Sequence, residues 1–253
     1  MKNGFMNQLS NLKLVIFDLD GTLIDSNGIN NDLDIELAHL FDENKNPEEI
    51  IIERDNFFKS NTEGDIYLNY CEYLKTKYNS DFSKEEILQI RRNLSKKFSK
   101  DIKYKPDADK MIKYLKNQNI NIALGTVSRR ETIDIYINEN EHMKSKCNLQ
   151  EYFDFIVTKD DVILKKPNPE VYNKIVEKFE IDDLSKCIVI EDSLTGVLAA
   201  KNAKLNVICI YDKYSDSNLK YNEQNIMAHN ANAENKYIKP RQYFFIKKNE
   251  TNK

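Results

Sequence analysis

The sequence predicts an α/β protein in which a doubly wound parallel sheet is interrupted, after its first strand, by an all-helical insertion. Three observations carry this reading. Short continuous apolar runs recur along the chain, as expected of strands buried on both faces of a parallel sheet. Segments with apolar residues at helical spacing lie between them, the alternation that builds such a sheet. The stretch from Asn27 to Lys105, by contrast, offers one helical pattern after another and no convincing strand.

Met1 to Asn11 is polar and patternless, so a frayed start is expected. Leu14-Val15-Ile16-Phe17 is the first strand, closed by Asp18-Leu19-Asp20-Gly21. The insertion follows, its helices marked by Leu33, Leu37 and Leu40, by Ile50, Ile51 and Phe57, by Ile66, Tyr70, Tyr73 and Leu74, and by Ile87, Ile90, Leu94 and Phe98. Pro47 suits a first helical turn, and Ser83 with Glu86 forms a capping-box signature. Pro106 marks the return to the sheet domain. Further strands are expected at Ile120–Leu124, Phe155–Val157, Ile188–Ile190 and Val207–Ile210. Helices between them carry Met111, Ile112 and Leu115; Val171, Ile175, Val176 and Phe179; and Val197, Leu198 and Ala200. The segment Asn138 to Lys146 lengthens one connection, and the pattern is lost after Asp212. The expected organisation is an α/β core from 1–26 and 106–240, a helical domain at 27–105, and a tail at 241–253. The apolar knot Tyr243-Phe244-Phe245-Ile246 would be an added strand or a packed end of that tail.

Composition narrows the partners. Lys+Arg 38 against Asp+Glu 41 gives a formal net charge of -3, with no basic cluster of the size that nucleic acid requires. Cys71, Cys147, Cys187 and Cys209 are widely spaced and form no Cys-x-x-Cys, which points to a reducing compartment. The first apolar run is too short to span a membrane and lacks a signal-peptide layout. A cytoplasmic protein with no nucleic-acid, membrane or obligatory protein partner is expected.

Open α/β sheets bind ligands beyond the carboxyl ends of their strands, and four strand ends here carry reactive groups. They are Asp18-Leu19-Asp20-Gly21-Thr22, Thr126-Val127-Ser128, Lys165-Lys166-Pro167-Asn168-Pro169, and Glu191-Asp192-Ser193. Each has a purely structural alternative. Asp20-Gly21 is a common turn; Thr126 and Ser128 could cap the next helix; Lys166-Pro167 could be an exposed loop before a helix starting at Pro169; and Glu191-Asp192-Ser193 could be another helix start with a favourable dipole interaction. Their conjunction, in this order and each after an apolar run, is harder to obtain by chance.

Together these residues resemble the four ordered motifs of haloacid dehalogenase-like hydrolases. The resemblance covers roughly Lys13 to Asp212 and is closest to the subfamily with a helical cap after the first motif, which includes phosphoglycolate phosphatases and β-phosphoglucomutase. It implies a Rossmann-like core and a Mg²⁺-dependent phosphatase acting on a small phosphorylated metabolite, a sugar phosphate or similar monoester. By the same resemblance Asp18 is the nucleophile and Asp20 the acid and base. Lys166 offsets the charge around Asp18, and Thr126 contacts a phosphoryl oxygen, with Ser128 and Arg129 as further substrate contacts. Mg²⁺ would be held by Asp18, the carbonyl of Asp20 and Asp192, with Glu191 binding directly or through water.

The residue types suit that chemistry. Phosphate monoesters hydrolyse so slowly that an enzyme must neutralise the phosphoryl oxygens and place a nucleophile in line. A carboxylate nucleophile divides the reaction into two easier steps, and a hard cation prefers oxygen ligands. An Asp two residues after the nucleophile favours phosphoryl transfer over dehalogenation, since a departing halide needs no acid. A β-phosphoglucomutase-like mutase is the alternative. Its usual cap histidine is absent from Ser26 to Asp32, and His39 lies beyond. A catalytically idle binding protein is the remaining reading.

Overall fold

The computed structural model describes residues 12–61, 63–212 and 214, and the backbone of two further strands at 226–229 and 236–238. The chain divides into two compact units, one formed by Met1–Asp25 with Ile102–Lys253 and the other by Ser26–Asp101.

The first unit is built on one sheet. Its strands are β1 (Leu14–Phe17), β2 (Asn121–Gly125), β3 (Phe155–Val157), β4 (Cys187–Glu191), β5 (Asn206–Cys209), β6 (Ile226–His229) and β7 (Lys236–Ile238). They lie in the order β3-β2-β1-β4-β5-β6-β7. The first five are parallel and realise the expected doubly wound arrangement, while β6 and β7 add an antiparallel edge. That edge falls where the sequence pattern is lost, and no strand was expected there. The Tyr243–Ile246 knot lies outside the described residues.

The central strand is buried throughout because both of its faces are covered. Leu14 and Ile16 join Ala123, Val157, Val189 and Val207 against Val171, Tyr172 and Ile175 of α9 (Glu170–Lys178) and Val197, Ala199 and Ala200 of α10 (Leu194–Asn202). Val15 and Phe17 alternate to the opposite face, where Phe17 meets Phe153 edge-on at 6.2 Å between ring centres. The helices α5 (Ala108–Asn117), α6 (Arg130–Asn138), α7 (Glu141–Cys147) and α8 (Leu149–Tyr152) complete the unit. The long connection noted in the sequence is therefore two short helices, capped by Asn140 and Asn148. Ile102–Lys105 belongs to this unit because Tyr104 bridges Ile24 and the Lys105 amide donates to the Leu23 carbonyl at 2.9 Å.

The second unit is helical: α1 (Ile29–His39), α2 (Pro47–Ser60), α3 (Ile66–Tyr78) and α4 (Lys84–Ser99). Local sequence fixes their ends. Asn46 caps α2, with Pro47 in the first turn, Asp65 caps α3, and the Ser83–Glu86 capping box opens α4. Leu37, Tyr70, Cys71, Leu74 and Ile87 form the core, flanked by Phe41, Phe57 and Phe58. Asp34, also buried, receives Arg54 Nη1 at 3.3 Å and Arg91 Nε at 2.9 Å, and so ties α1 to α2 and α4. Among the described residues, no helix of either unit is long and apolar enough to cross a membrane.

A buried carboxylate between two guanidiniums makes a strong demand on stability, because removing it takes the ion-pair partner from Arg91 and leaves Arg54 paired with Asp55 alone. Asp34→Ala is expected to cost about 3 kcal/mol. Lys97→Ala, which breaks the exposed pair with Glu36 and an exposed contact of the ammonium with the Phe98 ring, should cost no more than about 0.5 kcal/mol. Urea unfolding of the full chain measures both, and equal losses would show that the Asp34 network carries no special weight.

Candidate active site

The order of strands reverses at β1: the chain moves outward through β2 and β3, then returns to β4 and β5. Such a reversal opens a crevice beyond the strand ends. Register makes the crevice chemical. Phe17 pairs with Leu124 on one side and Ile190 on the other, so the next residues, Asp18, Gly125 and Glu191, stand level. The Asp18 amide donates to the Ile190 carbonyl at 2.9 Å, which holds Asp18 at the end of the ladder. Beyond Asp20 the chain turns sharply, with Gly21 at φ 78° and its amide bonded to the Ile24 carbonyl at 3.0 Å. A residue with a Cβ adopts that conformation only at a cost.

Lys166 enters this crevice from the loop before α9, its side chain only 3% exposed. An ammonium has three N–H donors, and each is taken. They go to Asp18 Oδ1 at 2.6 Å, the Gly125 carbonyl at 2.8 Å and Glu191 Oε1 at 2.6 Å. Glu191 is fully buried and equally occupied. Oε1 also accepts the Tyr172 hydroxyl at 2.6 Å. Oε2 accepts the Asp192 amide at 3.1 Å, and at longer range the Ser193 amide and hydroxyl at 3.4 and 3.2 Å. The carboxylate thus lies on the N-terminus of α10, where backbone N–H groups and the helix dipole favour negative charge.

The second motif meets the first at Asp20. Ser128 Oγ donates to Asp20 Oδ2 at 2.6 Å, and Thr126 Oγ1 approaches the same oxygen at 3.5 Å. Thr126 Oγ1 also accepts the Ser128 amide at 3.0 Å. Neither hydroxyl caps α6, whose N-cap position is held by Arg129. Asp192 Oδ1 accepts the Thr22 hydroxyl at 2.8 Å, which joins the fourth motif to the first. The structure therefore gathers Asp18, Lys166, Glu191 and Asp192 into one cluster and Asp20, Thr126 and Ser128 into another. Arg129 is exposed and, among the described residues, no hydrogen bond or ion pair joins it to either cluster.

Two participants were missed in the sequence. Tyr172 follows Lys166 by six residues and reads as one more apolar position of α9; only its burial against Glu191 distinguishes it. Gly196 reads as a tolerated helical glycine, yet a Cβ there would lie 1.9 Å from the Glu191 carboxylate.

Charge in the cluster is unbalanced. Burial, then Glu191, raise the Asp18 carboxyl well above its ordinary range, and Lys166 only partly counters them. Burial by itself would lower the Lys166 ammonium, but Asp18 and Glu191 hold it well above its usual value. Ligand oxygens of Asp18, Glu191 and Asp192 lie within 4.8 Å of one another. Among the described residues, Asp18 Oδ2 has no hydrogen-bond partner, although Asp18 is only 5% exposed. A donor set of hard oxygens with one buried oxygen unused fits a divalent cation such as Mg²⁺.

The model of the haloacid dehalogenase-like hydrolase family matches residues 15–210, and the chain belongs to that family. Within it, the relatives define a phosphoric monoester hydrolase. A phosphorylated carbohydrates phosphatase of Thermotoga maritima is 28% identical across 78% of this chain and 84% of its own length. The bifunctional riboflavin kinase/FMN phosphatase of Arabidopsis thaliana is 29% identical across 78% of this chain, which spans only 48% of that larger enzyme. Among solved structures, a Thermotoga maritima protein of the beta-phosphoglucomutase type superposes with a TM-score of 0.63 at 25% identity, covering 77% of this chain and 82% of its own. The helical second unit is the cap domain of this fold.

The close approach at Gly196 is testable. Gly196→Ala should force Glu191 away from the helix terminus and destabilise the protein by about 1–3 kcal/mol, the usual range for overpacking. Thermal unfolding together with a crystal structure of the variant checks both effects. Unchanged stability with Glu191 still bonded to Lys166 would refute the steric claim.

Proposed function

We propose that the protein is a Mg²⁺-dependent phosphatase that hydrolyses a small phosphorylated metabolite, a sugar phosphate or similar monoester, through an aspartyl-phosphate on Asp18. The observation that carries this reading is the pairing of Asp18 with a buried Lys166 at 2.6 Å, with a second aspartate two residues on. Phosphoryl transfer needs an oriented nucleophile, charge neutralisation and a proton carrier, and this constellation supplies all three. The carbohydrate-phosphate relative supports the substrate class.

In this reading Lys166 orients Asp18 and offsets the charge around it, and the Asp18 carboxylate attacks phosphorus. Asp20 protonates the departing oxygen and then takes a proton from the attacking water. Its hydrogen bond from Ser128 keeps the carboxyl in place for both transfers. Thr126 and Ser128, with Arg129 beyond them, line the side that receives the phosphoryl oxygens. Asp18, Asp192 and the Asp20 carbonyl would hold Mg²⁺, with Glu191 completing the acidic set. The ion supplies Lewis-acid neutralisation of the phosphoryl charge. The buried thiols of Cys71, Cys147, Cys187 and Cys209 support a reducing, cytoplasmic setting.

A mutase is the second reading, favoured by the likeness to the beta-phosphoglucomutase-type structure. His39 is engaged with the Lys45 carbonyl at 3.0 Å within the helical domain, which does not suit the proton carrier that a mutase cap usually provides.

With p-nitrophenyl phosphate as substrate, activity should require Mg²⁺ and vanish with EDTA; turnover that survives chelation would overturn the metal assignment. Asp18→Asn should lower kcat by on the order of 10³-fold or more, because an amide is a poor nucleophile. Asp192→Ala should abolish the Mg²⁺-dependent activity while leaving the fold intact. Rapid-quench labelling with acetyl phosphate separates the two readings. A hydrolase discharges the Asp18 phosphoenzyme to water, whereas one that persists until a hexose phosphate arrives identifies a mutase.

A further inference from the structure

The most heavily committed group in the crevice is Glu191, and its commitments are unlike those of a metal ligand. An ionised carboxylate offers about four lone-pair positions. Glu191 accepts from Lys166, Tyr172, the Asp192 amide, and the amide and hydroxyl of Ser193. A cation could reach either oxygen only by displacing a donor already in place. Asp18 differs sharply, with Oδ2 unengaged among the described residues.

Tyr172 is the side chain that makes this arrangement specific. It is fully buried, and its ring lies beside Gly125, where a Cβ would come within 3.2 Å of the ring edge. Lys166 Nζ stands 4.9 Å from the ring centre, so the ring attracts the same ammonium that its hydroxyl helps to direct. The hydroxyl donates to the oxygen of Glu191 that Lys166 uses. Without that bond Oε1 loses its only other partner among the described residues, and Glu191 is free to rotate off the Lys166–Asp18 line.

We infer that Tyr172 is a positioning residue. Its hydroxyl fixes Glu191 as the anchor of Lys166, and thereby aims Lys166 at Asp18, while Glu191 itself stays outside the direct metal ligands. The inference rests on the proposed role of Asp18 and Lys166 in phosphoryl transfer and sharpens the assignment of Glu191. The metal would then rely on Asp18, Asp192 and the Asp20 carbonyl, with Glu191 setting the direction of the cation that opposes it. The device is rigid because the three elements that supply it are packed together: α9 brings Tyr172, β4 brings Glu191, and the start of α10 closes over the carboxylate.

Tyr172→Phe keeps the ring and its packing and removes only the hydroxyl. It is expected to lower kcat for p-nitrophenyl phosphate by about 10- to 100-fold, the weight of one hydrogen bond to a charged group. KM and the Mn²⁺ dissociation constant, measured by water-proton relaxation, should each stay within about 3-fold. Glu191→Gln should likewise hold its Mn²⁺ affinity within about 3-fold, whereas Asp192→Asn should weaken it by about 30-fold or more. A Tyr172→Phe kcat within about 2-fold of the unmutated enzyme would overturn the positioning role. A loss of about 10-fold or more in Mn²⁺ affinity for Glu191→Gln would make Glu191 a ligand and overturn the other half. Crystal structures of the unmutated protein and Tyr172→Phe provide a readout that needs no turnover: Lys166 should leave hydrogen-bond distance of Asp18 Oδ1 in the variant. Should the unmutated protein hydrolyse no phosphate ester, the functional reading fails. Displacement of Lys166 in the variant crystal would still support the positioning inference, and an unmoved Lys166 would overturn it.

Discussion

A lysine ammonium buried at the end of a parallel sheet requires its full set of acceptors, since desolvating the charge costs several kcal/mol. Lys166 finds them in Asp18, the Gly125 carbonyl and Glu191, and much of the surrounding structure follows from that demand. Three different segments must deliver an oxygen to one point. Parallel pairing of β1 with both β2 and β4 does so, because the register leaves their last residues side by side. The reversal of strand order at β1 then leaves the opening on the side to which these oxygens point.

The same constraint governs where side chains are forbidden. Gly125 leaves room for Tyr172, Val171 and Ile175, while Gly196 leaves room for the Glu191 carboxylate. Both glycines are explained by the approach of a neighbour. Where the backbone must curl back after Asp20, Gly21 is needed for conformation. Sterics of two kinds therefore support one electrostatic arrangement, whose excess negative charge suits a divalent cation.

The helical domain answers to a separate set of forces. It has its own aromatic and aliphatic core and its own buried ion cluster around Asp34. Its helix ends are closed by local caps. The domain is thus stabilised from within.

Much of this was legible in the sequence because it depends on short-range pattern. Four-residue apolar runs such as Leu14–Phe17 have few alternatives to a buried strand, and caps such as Ser83 with Glu86 act within one helical turn. Asp18, Asp20, Lys166, Glu191 and Asp192 stood out because each follows such a run in a recurring order. The antiparallel edge at β6 and β7 was not visible, since Ile226–His229 and Lys236–Ile238 lie in an Asn- and Lys-rich stretch without clear alternation, where pairing to β5 decides the conformation. Nor could the sequence separate Glu191 from Asp192, two adjacent acids of the same chemistry. Their difference comes from the tertiary structure, which turns one onto a helix terminus beneath Tyr172 and bonds the other to Thr22. Neighbours in sequence define which groups are available, whereas hydrogen bonds over long separations decide what each is able to do.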